Sequence, residues 1–303
     1  MHSRFNRLFL SLFVISFCSC LLAEDIAVVK TRSLPTIERL LTGFQAACTE
    51  HNISVYDMEG SAKQGQKILA KIKESHSSSR AQSIFTLGLP ATKLFEQSSL
   101  SARLFFAMIN DPYGKNGLKK AIPGFAQGLP ADKLLKQLRV VLPDVERIAI
   151  IYSEEVAQAK IDDFITAADD LSLSLNTYFI RSMKDLPDSL LKVIRENDTL
   201  LLIPDRNVTN RHSIEFLATT GITRTFPIIG YNEHLVKAGL MASISPDYSA
   251  LGKMAGGVIC HGRDFKGDDQ RPQQTALAVN LQAVRMIKPN LSLQLQEIAD
   301  HVY

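Results

Sequence analysis

The sequence predicts an α/β protein of two doubly wound, parallel-sheet lobes joined by a multi-strand hinge. Three observations carry that expectation. Short β-rich runs alternate with amphipathic segments of helical length from residue 25 onward. A Gly- and Pro-rich loop interrupts the alternation near the middle, after which it restarts. Polar or turn-forming residues stand directly after the strand-like runs, where an open parallel sheet binds its ligands. With 303 residues, 46% apolar and 21% charged, the chain is long enough for two bodies and too apolar for a disordered or fibrous protein.

The amino-terminal stretch "MHSRFNR" carries Arg4 and Arg7 and runs into the uncharged apolar segment "LFLSLFVISFCSCLLA". That segment is too short for a spanning helix, which needs about 20 residues. The pattern is that of a secretory signal peptide over residues 1–23 with cleavage after Ala23; an uncleaved anchor is the alternative. Ser19 and Cys20 also resemble a bacterial lipoprotein cleavage site, although Phe17 and Cys18 fit that pattern poorly, so Cys20 is a candidate for lipid attachment. Loss of the two arginines lowers the formal charge from +3 to +1. No basic field then remains to attract nucleic acid, and an extracytoplasmic monomer without a nucleic-acid partner is expected. Cys48 and Cys260 could pair in an oxidising compartment, but both lie in helical patterns among apolar neighbours, where a buried free thiol is the expectation.

The first series of strands reads "IAVVK", "ISVYDM", "SIFTLG" and "RLFFAMI", separated by helical stretches such as "TIERLLTGFQAACTEH", whose Ile37, Leu40, Leu41 and Phe44 share a face. The loop "NDPYGKNGLKKAIPGFAQGLP" is the candidate crossing between lobes. The second series reads "RIAIIYS", "LNTYFI", "TLLLIP" and "FPIIGY"; the likeness of its opening strand to "IAVVK" supports two related halves. Two more strands, "GLMASI" and "TALAVN", flank the helix "DYSALGKMAGGVICHG". In a chain that crosses a hinge several times, the first would return to lobe one and the second to lobe two. The expected lobes are residues 24–122 plus 233–270 and residues 123–232 plus 271–303.

Familiar catalytic signatures are missing. "GSAKQGQK" spaces Gly60 and Gly65 as in a phosphate loop, but Gln66 precedes Lys67 and Ile68 stands where the hydroxyl should be. There is no Gly-x-Gly-x-x-Gly turn, Gly-x-Ser-x-Gly elbow or His-Glu-x-x-His helix. His212, His234 and His261 fall in surface helices, and Glu233 with His234 cannot alone build a metal site, so no cofactor and no metal are expected.

The candidate site is instead the set of residues at strand exits: Thr31 and Ser33; Gly88, Leu89, Pro90, Ala91 and Thr92; Asn110 and Asp111; Tyr152 with Ser153; Asp205; and Tyr231 with Asn232. Any one of the polar members could simply cap the next helix. Asp205, in "TLLLIPDRNVT", is harder to dismiss this way, because Asn207 and Thr209 are better placed to cap the following helix, which leaves the carboxylate free for a cationic group. The turn "GLPATK" enters a helix whose first amides attract anions. Open amides on one wall and a carboxylate on the other suit a zwitterion such as an amino acid.

Taken in order, "LGLPATKLF", "INDPYGKNGL", "IPGFAQG", "VLPDVERIAIIYSEE", "LLIPDRNVT", "GLMASISPDYSALGKMAG" and "NLSLQLQEIADHVY" resemble the solute-binding proteins of bacterial ABC importers related to the tryptophan and tyrosine binding group. The resemblance covers nearly all of the chain after its leader. It implies a type I periplasmic-binding-protein fold, three strand crossings, ligand trapped between lobes that close on it, and an inner-membrane ABC permease as partner. It assigns the loop at Gly88 to Thr92 and Asp111 to lobe one of the site, and Tyr152, Asp205 and Asn232 to lobe two. The chain departs from the pattern at Leu89, where relatives often carry Thr, so that backbone amides and Thr92 would compensate. It departs also in "TRSLPTIERL", which lacks the usual Gln and His and offers Arg32 for an anionic group. Two other readings share the fold or the scaffold: a sensor without a permease, and an α/β enzyme using Asp111 and Asp205 as acid and base.

Overall fold

Each strand-like run named above forms a strand in the computed structural model, which describes residues 25–76, 83–113, 117–264 and 271–303. The expected signal peptide and Cys20 lie outside the described residues. Lobe one alternates β1 (Asp25–Lys30), α1 (Pro35–Ala47), β2 (Asn52–Asp57), α2 (Ala62–His76), β3 (Ser83–Leu87), α3 (Leu89–Glu96) and β4 (Arg103–Ile109). A short strand, β5 (Gly124–Ala126), completes a parallel sheet of order β2-β1-β3-β4-β5. It lies inside the Gly- and Pro-rich loop, so that loop is partly sheet, and the first crossing begins only after Ala126.

Lobe two continues with α4 (Ala131–Val141), β6 (Arg147–Tyr152), α5 (Gln158–Asp170), β7 (Ser174–Phe179), α6 (Leu186–Glu196), β8 (Thr199–Leu201), α7 (Arg211–Thr223), β9 (Ile228–Gly230) and α8 (Glu233–Lys237). It ends with β10 (Ala242–Pro246), then β11 (Thr275–Val279), α10 (Leu281–Ile287), α11 (Ser292–Ile298) and β12 (His301–Val302). The sheet order is β12-β11-β10-β9-β8-β6-β7, parallel except for the β10–β11 pair. Buried strands such as β1 and β6 read as continuous apolar runs because helices cover both faces of each sheet. Among the described residues no helix is long and apolar enough to cross a membrane.

The strand "GLMASI" does not return to lobe one. As β10 it pairs with β9, Ala242 opposite Ile229, and with β11, Ala242 opposite Val279. The connection from β9 holds only the five-residue α8, a crossover that leads to the neighbouring position of the same sheet. What crosses back is helix α9 (Tyr248–Ile259), which packs on α1 while both strands that flank it belong to sheet two.

The α1–α9 contact is close because side chains are absent where the backbones meet. A Cβ on Gly252 would lie 1.9 Å from the Leu40 carbonyl oxygen, and one on Gly43 would lie 2.0 Å from that of Ser249. This approach brings the two helix ends together, and Cys48 and Cys260 form a disulfide with a Cα–Cα distance of 5.7 Å. The expectation of free thiols is therefore overturned: each cysteine ends its helix, and the glycine contact sets them at bonding distance. The bridge closes a sequence separation of 212 residues, and its removal by Cys48→Ala with Cys260→Ala should cost up to about 5 kcal/mol through unfolded-chain entropy. A fall of roughly 10 °C in the melting temperature is the expected calorimetric result.

Candidate ligand-binding cleft

The cleft is built where β4 leaves sheet one. Met108 adopts a positive φ of 63°, and the register against β5 shifts between Ala107 and Ile109. A left-handed methionine is uncommon and costs strain of about 1–3 kcal/mol. Bulges of this kind re-aim the side chains that follow them. Asn110 and Asp111 come next, and both line a cavity of about 670 Å³ between the lobes. Lobe two supplies the facing wall with Lys160 and Phe164 on α5 and with Pro204 after β8, and Arg271, in the third crossing, also lines the cavity.

A second, smaller cavity shares Asn110, Leu129, Phe164 and Pro204 with the first. Its remaining wall includes Gln127 in the first crossing, Tyr231 and Asn232 after β9, and Tyr248 at the start of α9. Gln127 Nε2 donates to Tyr248 Oη at 3.4 Å. The two cavities together offer an apolar floor of Phe164, Leu129 and Ile203 with charged groups toward the larger end. Burial lowers the Lys160 ammonium from the usual lysine value, Asp111 partly restores it, and Arg271 lowers it further. Burial raises the Tyr248 and Tyr231 phenols; for Tyr231 the Asp205 charge adds to the effect and a hydrogen bond with Thr209 opposes it.

The strand-exit residues thus divide into two groups. Asn110, Asp111, Tyr231 and Asn232 line the cavities. Asn232 also caps α8, its Oδ1 accepting from Leu235 N at 3.1 Å, and Tyr231 Oη shares a 2.9 Å hydrogen bond with Thr209 Oγ1. The others are engaged within their own lobe and line neither cavity. Thr31 Oγ1 accepts from Ala91 N at 3.2 Å, which occupies one of the α3 amides expected to be open to an anion. Ser33 Oγ donates to Asp57 at 2.7 Å. Gly88 has φ 95° and leads into α3. Leu89 packs on a small apolar cluster, Pro90 is exposed in the first turn, and Ala91 is core. Thr92 is buried and bonded to Gly88 O and Thr86 Oγ1. Tyr152 sets its ring edge-on to Phe179, 5.5 Å between centroids.

Asp205 is not free for a cationic group. It is 4% exposed and accepts from Ser153 N (2.7 Å), Ser153 Oγ (3.1 Å), Asn207 N (2.8 Å) and Val208 N (3.3 Å). Its carboxylate joins the exits of the paired strands β6 and β8. The cap of α7 is Asn210, which accepts from His212 N and Ser213 N, rather than Asn207 or Thr209. Gln127, Lys160, Phe164, Tyr248 and Arg271 also line the cavities, but they stand in crossings or in the first two turns of a helix rather than at strand exits. Only Lys160 carried a usable signal, as a lone cation in the first turn after a strand exit.

Two doubly wound lobes with three chain crossings and a lined cleft define a two-lobed binding-protein fold. The chain belongs to the ABC transporter substrate binding protein family, whose sequence profile matches residues 25–297. Proteins of this family are extracytoplasmic and pass a small-molecule solute to a membrane ABC permease. Solved structures of similar fold include the ligand-free, open structure of CD0873, a substrate binding protein with adhesive properties from Clostridium difficile. It is 16% identical, with 88% of this chain and 95% of that chain covered and a TM-score of 0.69. An ABC domain in complex with L-Trp from Streptococcus pneumoniae is 16% identical over 93% of this chain and 100% of its own, with a TM-score of 0.55. A conserved domain protein from Vibrio cholerae is 15% identical over the same shares, with a TM-score of 0.56. No curated protein sequence matches the chain.

The bonding of Asp205 gives a direct expectation. Asp205→Ala leaves buried donors on Ser153, Asn207 and Val208 unpaired, and should lower stability by on the order of 3 kcal/mol. Thermal unfolding without any ligand would register the loss; an unchanged midpoint would contradict a scaffolding role.

Proposed function

We propose that the cleft captures a small zwitterionic solute, an amino acid or a derivative of one, and delivers it to an inner-membrane ABC permease. The observation that carries this reading is the pairing of opposite charges across one lined cavity: Asp111 from lobe one against Lys160 and Arg271 from lobe two and the hinge. An ammonium group would meet Asp111 and a carboxylate would meet Lys160 and Arg271, so a bound zwitterion would connect the lobes. The apolar floor, with Phe164, Tyr231 and Tyr248, suits an uncharged side chain. The structure of an L-Trp complex among the similar folds is in keeping with that ligand class. Export directed by the leader, with Cys20 as the alternative lipid anchor, completes the proposal; the mass of the mature amino-terminal peptide distinguishes the two forms.

Thermal shift against a panel of L-amino acids and small metabolites tests the reading. A ligand at a hundredfold excess over its dissociation constant adds about 2.7 kcal/mol to stability. Lys160→Met and Asp111→Asn should each abolish the shift while the unliganded midpoint holds. A full shift in both variants would rule out this cleft as the zwitterion site. Binding should also weaken as pH rises toward the usual lysine value of 10.5, and earlier than for an ordinary lysine, because Lys160 loses its proton below that value. Isothermal titration across alkaline pH would measure this.

A further inference from the structure

The lobes also meet away from the cleft lining, where α1 approaches the edge of lobe two formed by α8 and β12. Arg39, in the second turn of α1, directs Nη1 to Glu233 Oε1 and, at 2.9 Å, to His301 Nε2. His301 Nε2 is itself 3.2 Å from Glu233 Oε1. The other Glu233 oxygen accepts from Tyr303 Oη at 2.9 Å, and Lys237 lies 4.8 Å over the Tyr303 ring. Glu233 is the first residue of α8 and follows Tyr231 and Asn232, which line the cleft. A change in its position is therefore transmitted over one residue to the ligand wall.

The contact is partly shielded from solvent but incompletely made. The Arg39 and Glu233 side chains are 34% and 17% exposed, so solvent weakens the attraction less than on an open surface. Burial raises the Glu233 carboxyl, and hydrogen bonds from Arg39 and Tyr303 more than offset it, leaving it below the usual carboxylate range. Arg39 nevertheless engages through one nitrogen, while its Nε is buried without a hydrogen bond. A guanidinium at its best binds a carboxylate with two parallel donors. This one is held end-on by a partner in a separate lobe, so hinge rotation can break the contact without unfolding either body.

We propose that Arg39 and Glu233 form an interlobe latch that holds this lobe arrangement and must break when the lobes rotate away from it. The proposal rests on the reading of the protein as a two-lobed receptor that closes, and not on which solute it takes. A latch that favours one arrangement sets the fraction of molecules able to capture ligand, since apparent affinity scales with the competent population.

The test measures lobe separation directly, on the mature chain with no ligand added. Spin labels at Lys67→Cys on α2 and Glu297→Cys on α11, both exposed, report the distance between lobes by double electron–electron resonance, with the native disulfide left intact. Arg39→Gln and Glu233→Gln should each reduce the population at the wild-type distance at least threefold. The reciprocal swap of Arg39→Glu with Glu233→Arg should restore it. Glu38→Gln, which removes a lobe-internal ion pair with Lys30 from the same helix, should leave the distance unchanged. Melting curves confirm that each variant is folded. Unchanged distributions in both Gln variants, a swap that stays displaced, or equal displacement by Glu38→Gln would each overturn the latch. Failure of the ligand panel leaves these distances untouched, so the two ideas fail separately.

Discussion

The close approach of α1 and α9 is the constraint on which the two-lobed form depends. Both strands flanking α9 lie in sheet two, yet the helix packs in lobe one. Without that docking the lobes would be joined by the single crossing after β5. With it the chain passes between them three times, and a loose tether becomes a hinge with a restricted path. Gly43 and Gly252 make the approach possible, because a Cβ at either would meet a backbone carbonyl of the facing helix. The Cys48–Cys260 bridge then prevents the helix from lifting away with lobe two.

A restricted hinge gives meaning to charges that face each other across it. Asp111 and Lys160 line the same cavity from opposite lobes, and Arg39 and Glu233 are bonded where α1 approaches α8 and β12. Pairs of this kind contribute little to the stability of either body, because each body is already held by its own core. They act on the relative energy of lobe arrangements, where differences of about one or two kcal/mol change populations five- to thirtyfold. The same modest magnitude that makes a surface ion pair a poor stabiliser makes it a useful determinant of lobe position.

Much of the fold was legible because strands buried on both faces read as plain apolar runs and the helices between them carry a single apolar stripe. The parts that were not legible have local causes. β5 is three residues inside a Gly- and Pro-rich loop, and β12 is two residues; neither is long enough to show a period. The lobe of β10 depends on a crossover choice that no residue of "GLMASI" encodes. The disulfide depends on a helix contact between segments about two hundred residues apart, and glycines within helices give no warning of it. Among the residues lining the two cavities, Asn110, Asp111, Tyr231 and Asn232 stand at strand exits, where the sequence shows them. Lys160 and Arg271 do not, because a helix turn and a hinge crossing reach the cleft from outside the set of strand ends.

The strand-exit residues that turn out to be scaffold share a feature that separates them from the cleft residues. Asp205 meets Ser153 because β8 and β6 are paired, and Thr31 meets Ala91 because β1 and β3 are paired. Ser33 meets Asp57 for the same reason, across β1 and β2. Exits of adjacent strands lie about 5 Å apart, within reach of a short polar side chain, so their polar groups satisfy one another before any ligand arrives. Asn110 and Asp111 stand just past a bulge at Met108, where the pairing of β4 with β5 shifts by one residue and ends at Ile109 opposite Ala126. Their side chains make no hydrogen bond among the described residues, and Lys160 faces them from another body rather than another strand. A polar group at a strand exit is therefore available to a ligand when its neighbouring strand cannot answer it. By that criterion Asn110 and Asp111, which follow the left-handed Met108, are the side chains that lobe one leaves open at the proposed site.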